Sequence, residues 1–304
     1  DNTEDGMGIF SEPVAYKDQT LDDGQIRFAD LGNLIALEIK PFQEEPRYFV
    51  YNHKMQEVQK IDSIKETAVL LPDDQGIIFP NGYYLQTGEF HLFSNEVQAL
   101  KYQETISSPN GEDFLYVFYS PTKGTYLLMD YNMIEQEIKT PIVCGGFTIL
   151  PNGELCYFKA DDEQTKHHMI QIWQTPYLEG DIMPSEHQDS MLYKIGNKDI
   201  VKAMAEANEL ITLLSKEDNY DGLYADIAKS SKNILDAYYW LNEKETAVLN
   251  EPLKEINIAA NAAIDEFQKV IQLKKNAEKQ TQEIQQKAQK LFSKIKSTSF
   301  KNIN

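Results

Sequence analysis

The residues best suited by type to do chemistry sit close together near the middle of the chain. His167 and His168 follow Asp161, Asp162 and Glu163, and Cys144 and Cys156 lie a little upstream. Carboxylates, imidazoles and thiolates are the usual metal ligands, but a structural zinc site wants ligand pairs about two to four residues apart. The spacing here matches no such pattern. Neighbouring residues on a strand point to opposite faces, so His167 and His168 do not readily reach one ion. The reading is a charged loop with one packed histidine, an interaction loop at Asp161, Asp162, His167 and His168 and no metal. His53, His91 and His187 stand alone.

Nucleotide and acyl-transfer chemistry leave recognisable motifs, and these are missing. No glycine is followed by lysine, so the phosphate-binding G-x-x-x-x-G-K-[ST] loop does not occur. Neither a G-x-S-x-G elbow nor an H-E-x-x-H helix is present. No catalytic, cofactor-binding or metal residue is assigned, and the weight falls on the elements that carry these residues.

The stretch 141–177 organises the first half. Phe147 to Leu150, Leu155 to Phe158 and His168 to Trp173 are three β-prone runs, and Asn152-Gly153 separates the first two. Asn-Gly between such runs is a strong hairpin signal, because a two-residue turn there takes positive φ at both positions. Three short antiparallel strands are expected. Weaker copies recur upstream, where Gly32, Gly76, Gly111 and Gly153 are separated by 44, 35 and 42 positions. Several strands per repeat of this length point to propeller-like blades, with a plain sandwich or twisted meander as the other arrangement. Tyr83, Tyr84, Tyr116, Phe118, Tyr119, Tyr157, Phe158 and Trp173 fall inside the runs. They read as core, since strands favour aromatics and no Lys or Arg interleaves with them to build a base-stacking platform. Residues 1–23 read as a loose acidic lead-in.

After Gly196 the period changes to that of helices. Ile200, Met204, Ala207, Ile211 and Leu214 mark one face, and Leu223, Ile227, Ile234, Tyr238 and Leu241 another. Pro252 opens or kinks a third helix. From Leu253 to Ile295 apolar residues recur at alternating steps of three and four, broken only at Lys274 and Thr281. Leu253, Ile256, Phe267, Val270, Ile284, Leu291 and Ile295 are the seam of a coiled coil. The organisation is thus multidomain β + α: an antiparallel, propeller-like β-repeat domain over 1–190, then a helical domain over 191–304 with the long coiled-coil helix from about 252.

Bulk properties set the limits. The 304 residues, 41% hydrophobic and 11% aromatic, belong to a folded chain with room for two domains. A net charge of −19 argues against broad, sequence-independent DNA binding. Charge is uneven: from Glu251 onward the chain is +4 and the remainder −23. A lysine-rich arm is compatible with DNA contact, though such charges usually form a solvated helix face. Two cysteines give no disulfide framework, which implies a reducing, cytoplasmic setting. No apolar run of about 18 residues predicts a membrane span. The acidic start without an initiator Met or signal-like core is read as that of a fragment or a processed product.

The stretch CGGFTILPNGELCYFKADDEQTKHHMIQIWQTPY (144–177) resembles a region of large bacterial proteins known as DNA-repair ATPases, which carry an AAA-type module toward the C-terminus. The specific signal is Asn152-Gly153-Glu154-Leu155 and Gln171-Ile172-Trp173-Gln174-Thr175-Pro176; the rest agrees in the order of elements, β-repeats and then coiled coil. The resemblance implies a non-catalytic scaffold or protein-interaction region of such an ATPase, linked to DNA repair or DNA-associated remodelling. ATP and magnesium would then belong to the parent's ATPase module, and no cofactor to this stretch. The expected partner is another protein, or a second copy, through the helical arm, with no membrane. The alternative is a small-ligand-binding or enzymatic β-propeller with an unrecognised site.

Overall fold

Short β-prone runs punctuated by glycine fold as antiparallel meanders. The structure is a computed structural model that describes residues 8–65, 67–93, 99–160, 167–180, 189–215 and 222–299. The first sheet runs in order β1 (Gln25–Leu31), β2 (Leu34–Lys40), β3 (Arg47–Asn52) and β4 (Glu57–Lys60). The second repeats that order with β5 (Val69–Leu70), β6 (Gly76–Phe79), β7 (Gly82–Leu85) and β8 (Phe90–Leu92). A third meander begins with β9 (Lys101–Ser107), β10 (Asp113–Ser120), β11 (Thr125–Asn132) and β12 (Glu137–Ile138). It continues into β13 (Ile142–Ile149), β14 (Glu154–Lys159) and β15 (Ile170–Gln174), because β13 pairs with β11 at Leu127↔Val143. The fourth repeat therefore extends the third sheet, which has seven strands. Gly32, Gly76, Gly111 and Gly153 each stand at the entrance to the second strand of a unit, β2, β6, β10 and β14.

The three strands expected over 141–177 form as β13, β14 and β15, in antiparallel register through Phe147↔Tyr157 and Tyr157↔Gln171. The turn differs from the two-residue form. Pro151 holds φ negative, the Gly153 N–H donates to the Leu150 carbonyl at 2.8 Å, and only Gly153 has positive φ, +83°. A proline at the first turn position imposes this type I turn with a left-handed glycine after it. Gly145 and Gly146 serve packing instead: a Cβ there would meet the Phe158 ring at 2.5 and 2.8 Å.

Alternation along the strands builds two apolar clusters over the third sheet. One holds Tyr116, Phe118, Leu127, Met129 and Tyr131, joined by Tyr83 and Leu85 of the second sheet. The other holds Leu115, Val117, Leu128, Cys144, Leu155 and Tyr157. A third cluster, Leu34, Val50, Ile61, Ile77, Phe79 and Tyr84, seals the first sheet against the second. Most of the aromatics read as core are buried, but Trp173 is 52% exposed on the edge strand β15.

Buried polar side chains tie the sheets together. Gln75 and Gln86 flank the second sheet, and the Gln86 N–H donates to the Gln75 carbonyl at 2.8 Å. The Gln75 side chain donates to the Met133 carbonyl (3.1 Å) and accepts from the Tyr131 hydroxyl (2.7 Å), both on the third meander. Toward the first sheet, the Gln86 carbonyl accepts from the Asn52 amide at 2.9 Å, and its side chain accepts from Asn33 at 2.6 Å. Asn52 and Asn132 are matched: each side-chain oxygen accepts from the backbone N–H groups two and three residues on. The segments Tyr51-Asn52 to Gln56-Glu57 and Tyr131-Asn132 to Gln136-Glu137 are the same turn, with Gln56 and Gln136 at φ 55° and 57°.

The helices are α1 (Met191–Ile195), α2 (Asn197–Ser215), α3 (Leu223–Ala237) and α4 (Ala247–Ser299). The chain divides into two compact units, Asp1–Ala205 and Glu206–Asn304. Within the first unit Val201 joins the core and Lys202 pairs with Asp73 at 3.8 Å. The buried residues of α2 are Val201, Ala203, Ala205 and Leu210, whereas Met204, Ile211 and Leu214 of the expected face are exposed. This helix is apolar on more than one side, so periodicity does not select which side is covered. In the second unit Leu223, Ile227, Ile234, Tyr238 and Leu241 are all buried, as their spacing implies. Pro252 lies inside α4 as its sixth residue, so the helix opens at Ala247 ahead of the proline.

Two measurements check this core. Gln75→Ala removes the buried hydrogen bonds to the Tyr131 hydroxyl and the Met133 carbonyl, and losing one partner of a buried hydrogen bond costs about 1–3 kcal/mol. Urea unfolding should show a loss of about 2–4 kcal/mol, against under about 0.5 for the exposed Gln103→Ala. Burial pushes the Cys144 thiol up to about 11. In a Cys156→Ser background, Cys144 should resist thiol reagents near pH 8 until urea unfolds the chain; prompt labelling of the native protein would show the packing to be wrong.

Candidate interaction surfaces

Asp161 and Asp162, half of the expected interaction loop, lie outside the described residues, as does Glu163. His167 and His168 are exposed ahead of β15, and the His168 ring packs on Phe158 with centroids 5.0 Å apart. Among the described residues no group of three or more His, Cys, Asp or Glu side chains is arranged to hold a metal ion. Among them, too, no helix is long and apolar enough to cross a membrane.

One linked set of titratable groups is structural. Asp130 accepts from the Tyr177 hydroxyl and from Lys139 at 2.8 Å. Asp113, 7% exposed, accepts from the Asn132 amide at 3.0 Å. Burial raises the Asp113 carboxyl above its usual range, opposed by that hydrogen bond, and burial with the Asp130 charge raises Tyr177. These groups spend their hydrogen bonds on each other within the sheet.

The seven seam residues divide into two sets. Leu253 and Ile256 are partly buried and Ala260 is buried, on the stretch of α4 that packs along α3. Asn257 fixes that contact, donating to the Ala228 carbonyl at 2.7 Å and to Ser231 Oγ at 3.0 Å. Beyond it Phe267, Val270, Ile284, Leu291 and Ile295 are 47–66% exposed, and Leu273 and Phe292 are exposed beside them. One helix thus has an anchored half and a half whose described seam residues face solvent. The sequence pattern does not mark where one becomes the other, since its steps continue unchanged across the boundary.

The second surface gave no sequence signal. The first sheet is apolar on both sides. Leu34 and Val50 face the core, while Phe28↔Leu37, Leu37↔Phe49 and Tyr51↔Val58 put five apolar side chains on the outer face. Residues 8–14 lie across it, which replaces the loose lead-in expected there. Phe10 packs on Phe49 with centroids 5.5 Å apart. Glu12 pairs with Lys60 at 2.9 Å and with Arg47 at 2.8 Å, and Arg47 also pairs with Glu44. The Lys60 ammonium holds the Glu12 carboxyl below its usual range; burial opposes this, and the Arg47 guanidinium adds to the lowering. A half-open pocket of about 720 Å³ is lined by residues of both strap and sheet, Ile9, Phe10, Leu37, Ile39, Tyr51 and Val58 among them.

No curated protein and no solved structure gives a significant match to the chain. The model of one protein family, DUF3686, described as an ATPase involved in DNA repair, matches residues 1–239. That span takes in all three sheets with the strap across the first, together with α1 to α3, and stops short of α4. The chain therefore belongs to the family described as an ATPase involved in DNA repair.

Proposed function

We propose that this chain is a non-catalytic scaffold and protein-interaction region of a larger, cytoplasmic AAA-type ATPase, whose ATP and magnesium sit in a module outside the 304 residues. The observation that carries this reading is the exposed apolar seam on the far half of α4, from Phe267 to Ile295. Apolar residues at heptad spacing on one long helix gain most by pairing with another helix. The sheets, with their matched turns at Asn52 and Asn132, support a propeller-like β-repeat domain to about residue 190 that presents surfaces, followed by a helical domain that couples it to a partner helix. The family description supports the link to DNA-repair ATPases.

A second reading, direct DNA contact through the arm, has one observation in its favour. Over Lys269–Ser299 there are eight lysines against Glu278 and Glu283. The two readings differ in the sign of their salt dependence. Apolar pairing of two lysine-rich helices strengthens as salt screens their repulsion, whereas phosphate binding weakens steeply with salt.

Sedimentation of the whole chain and of a copy ending at Asp265 tests the proposal. The whole chain should self-associate, more so as salt rises toward the physiological range, and the shortened copy should be a monomer. Equal sedimentation of both, with DNA retarded by the whole chain at low salt and released as salt rises, would overturn the seam reading in favour of DNA contact.

A further inference from the structure

An antiparallel sheet in a soluble domain commonly leaves one face to water, with polar residues on it. The first sheet does not follow this rule. Its outer face carries Ile26, Phe28, Leu37, Ile39, Phe49 and Tyr51, and the strap covers only part of it. Phe49 is sealed at 4% exposure, but Phe28 on the edge strand β1 is 75% exposed and Ile26 56%. The strap leaves part of the face open: Ile9 is 49% exposed and Phe10 45%, and both line the half-open 720 Å³ pocket. A contiguous apolar face of this kind marks a binding surface.

The strap also shows what the face selects. An aromatic ring seats on Phe49, and two residues later one carboxylate receives both Lys60 and Arg47. Arg47 further donates to the Pro13 carbonyl at 3.0 Å, so it reads the backbone beyond that acid as well. Lys60 lies over the Phe49 ring, 5.9 Å from its centroid, and joins the aromatic seat to the cationic one. We propose that the outer face of the β1–β4 sheet is a peptide-docking surface, held in cis by residues 8–14, which takes in trans an extended protein segment bearing an aromatic side chain two residues before a carboxylate. The charge complementarity at Arg47 and Lys60 fixes the acid, and the half-open pocket leaves room for a bulkier apolar residue than Ile9. A tethered strap acts at high effective concentration, so it holds weak ligands off until a better-fitting segment displaces it.

The test uses the full chain and a fluorescein-labelled peptide copying residues 8–16. Anisotropy titrations compare the wild type with a Phe10→Ala/Glu12→Gln variant whose fold is checked by circular dichroism. The variant should bind the peptide roughly tenfold more tightly or better, because the cis competitor is gone. Adding Arg47→Ala, or placing the two strap changes in the peptide instead, should abolish that gain. If the double variant does not fold, Glu12→Gln alone decides on the same criterion, with a gain of roughly threefold expected. Equal affinity for wild type and variant, or no binding by either, overturns the proposal. So does self-association of the variant beyond that of the wild type, without peptide binding, which would assign the face to a second copy.

Discussion

The β unit depends on two glutamines that sit where apolar residues would be expected. Gln75 and Gln86 are 3% and 5% exposed, and each side chain reaches a different neighbouring meander. Burying an amide without partners costs a few kcal/mol, so such groups persist only where the surrounding chain satisfies them. Here satisfaction requires all three sheets at once. The Tyr131 hydroxyl and Met133 carbonyl come from the third, and Asn33 and Asn52 come from the first. Apolar packing between sheets is tolerant of small slips, whereas these hydrogen bonds are directional and fix the register. The clamp therefore sets the meanders in one arrangement, and that arrangement holds the first sheet with its outer face turned away from the core.

How much of this could be read from the sequence follows from which signals are periodic. The hairpin at Pro151-Asn152-Gly153, the recurring glycines at strand entrances and the long α4 all leave local, repeating patterns, and these elements form. The fourth repeat did not separate as a sheet of its own, because pairing of β13 with β11 is a choice between edges that no local pattern encodes. The glutamine clamp and the strap were illegible for a related reason. Gln75, Glu12 and Arg47 are single polar residues whose partners lie far along the chain, so neither composition nor spacing marks them. The matched Tyr-Asn turns were legible in principle, since Tyr51-Asn52 and Tyr131-Asn132 each precede a Gln-Glu pair at the same offset.

The two surfaces differ in how they are held. The face of the first sheet is preformed, with a substitute occupant supplied by the same chain and a carboxylate that already satisfies both cations. Among the described residues, none fills that role for the far half of α4. An isolated helix is marginal in water, and most helical stability in proteins comes from covering an apolar stripe. Around Leu253, Asn257 and Ala260 that cover is α3, whereas Phe267–Ile295 rests on intrinsic propensity, with Lys, Gln, Glu and Ala filling most positions. On the proposed reading, the ordering energy of the far half is spent at the moment a partner binds.

Native-state hydrogen exchange along α4, at a concentration where the chain sediments as a monomer, tests that division most directly. The account predicts strong protection from about Leu253 to Ala263, where the helix packs along α3, and rapid exchange beyond Phe267. Protection continuing undiminished to Ile295 in the monomer would mean that the chain covers its own seam, and the arm would not be the surface that awaits a partner.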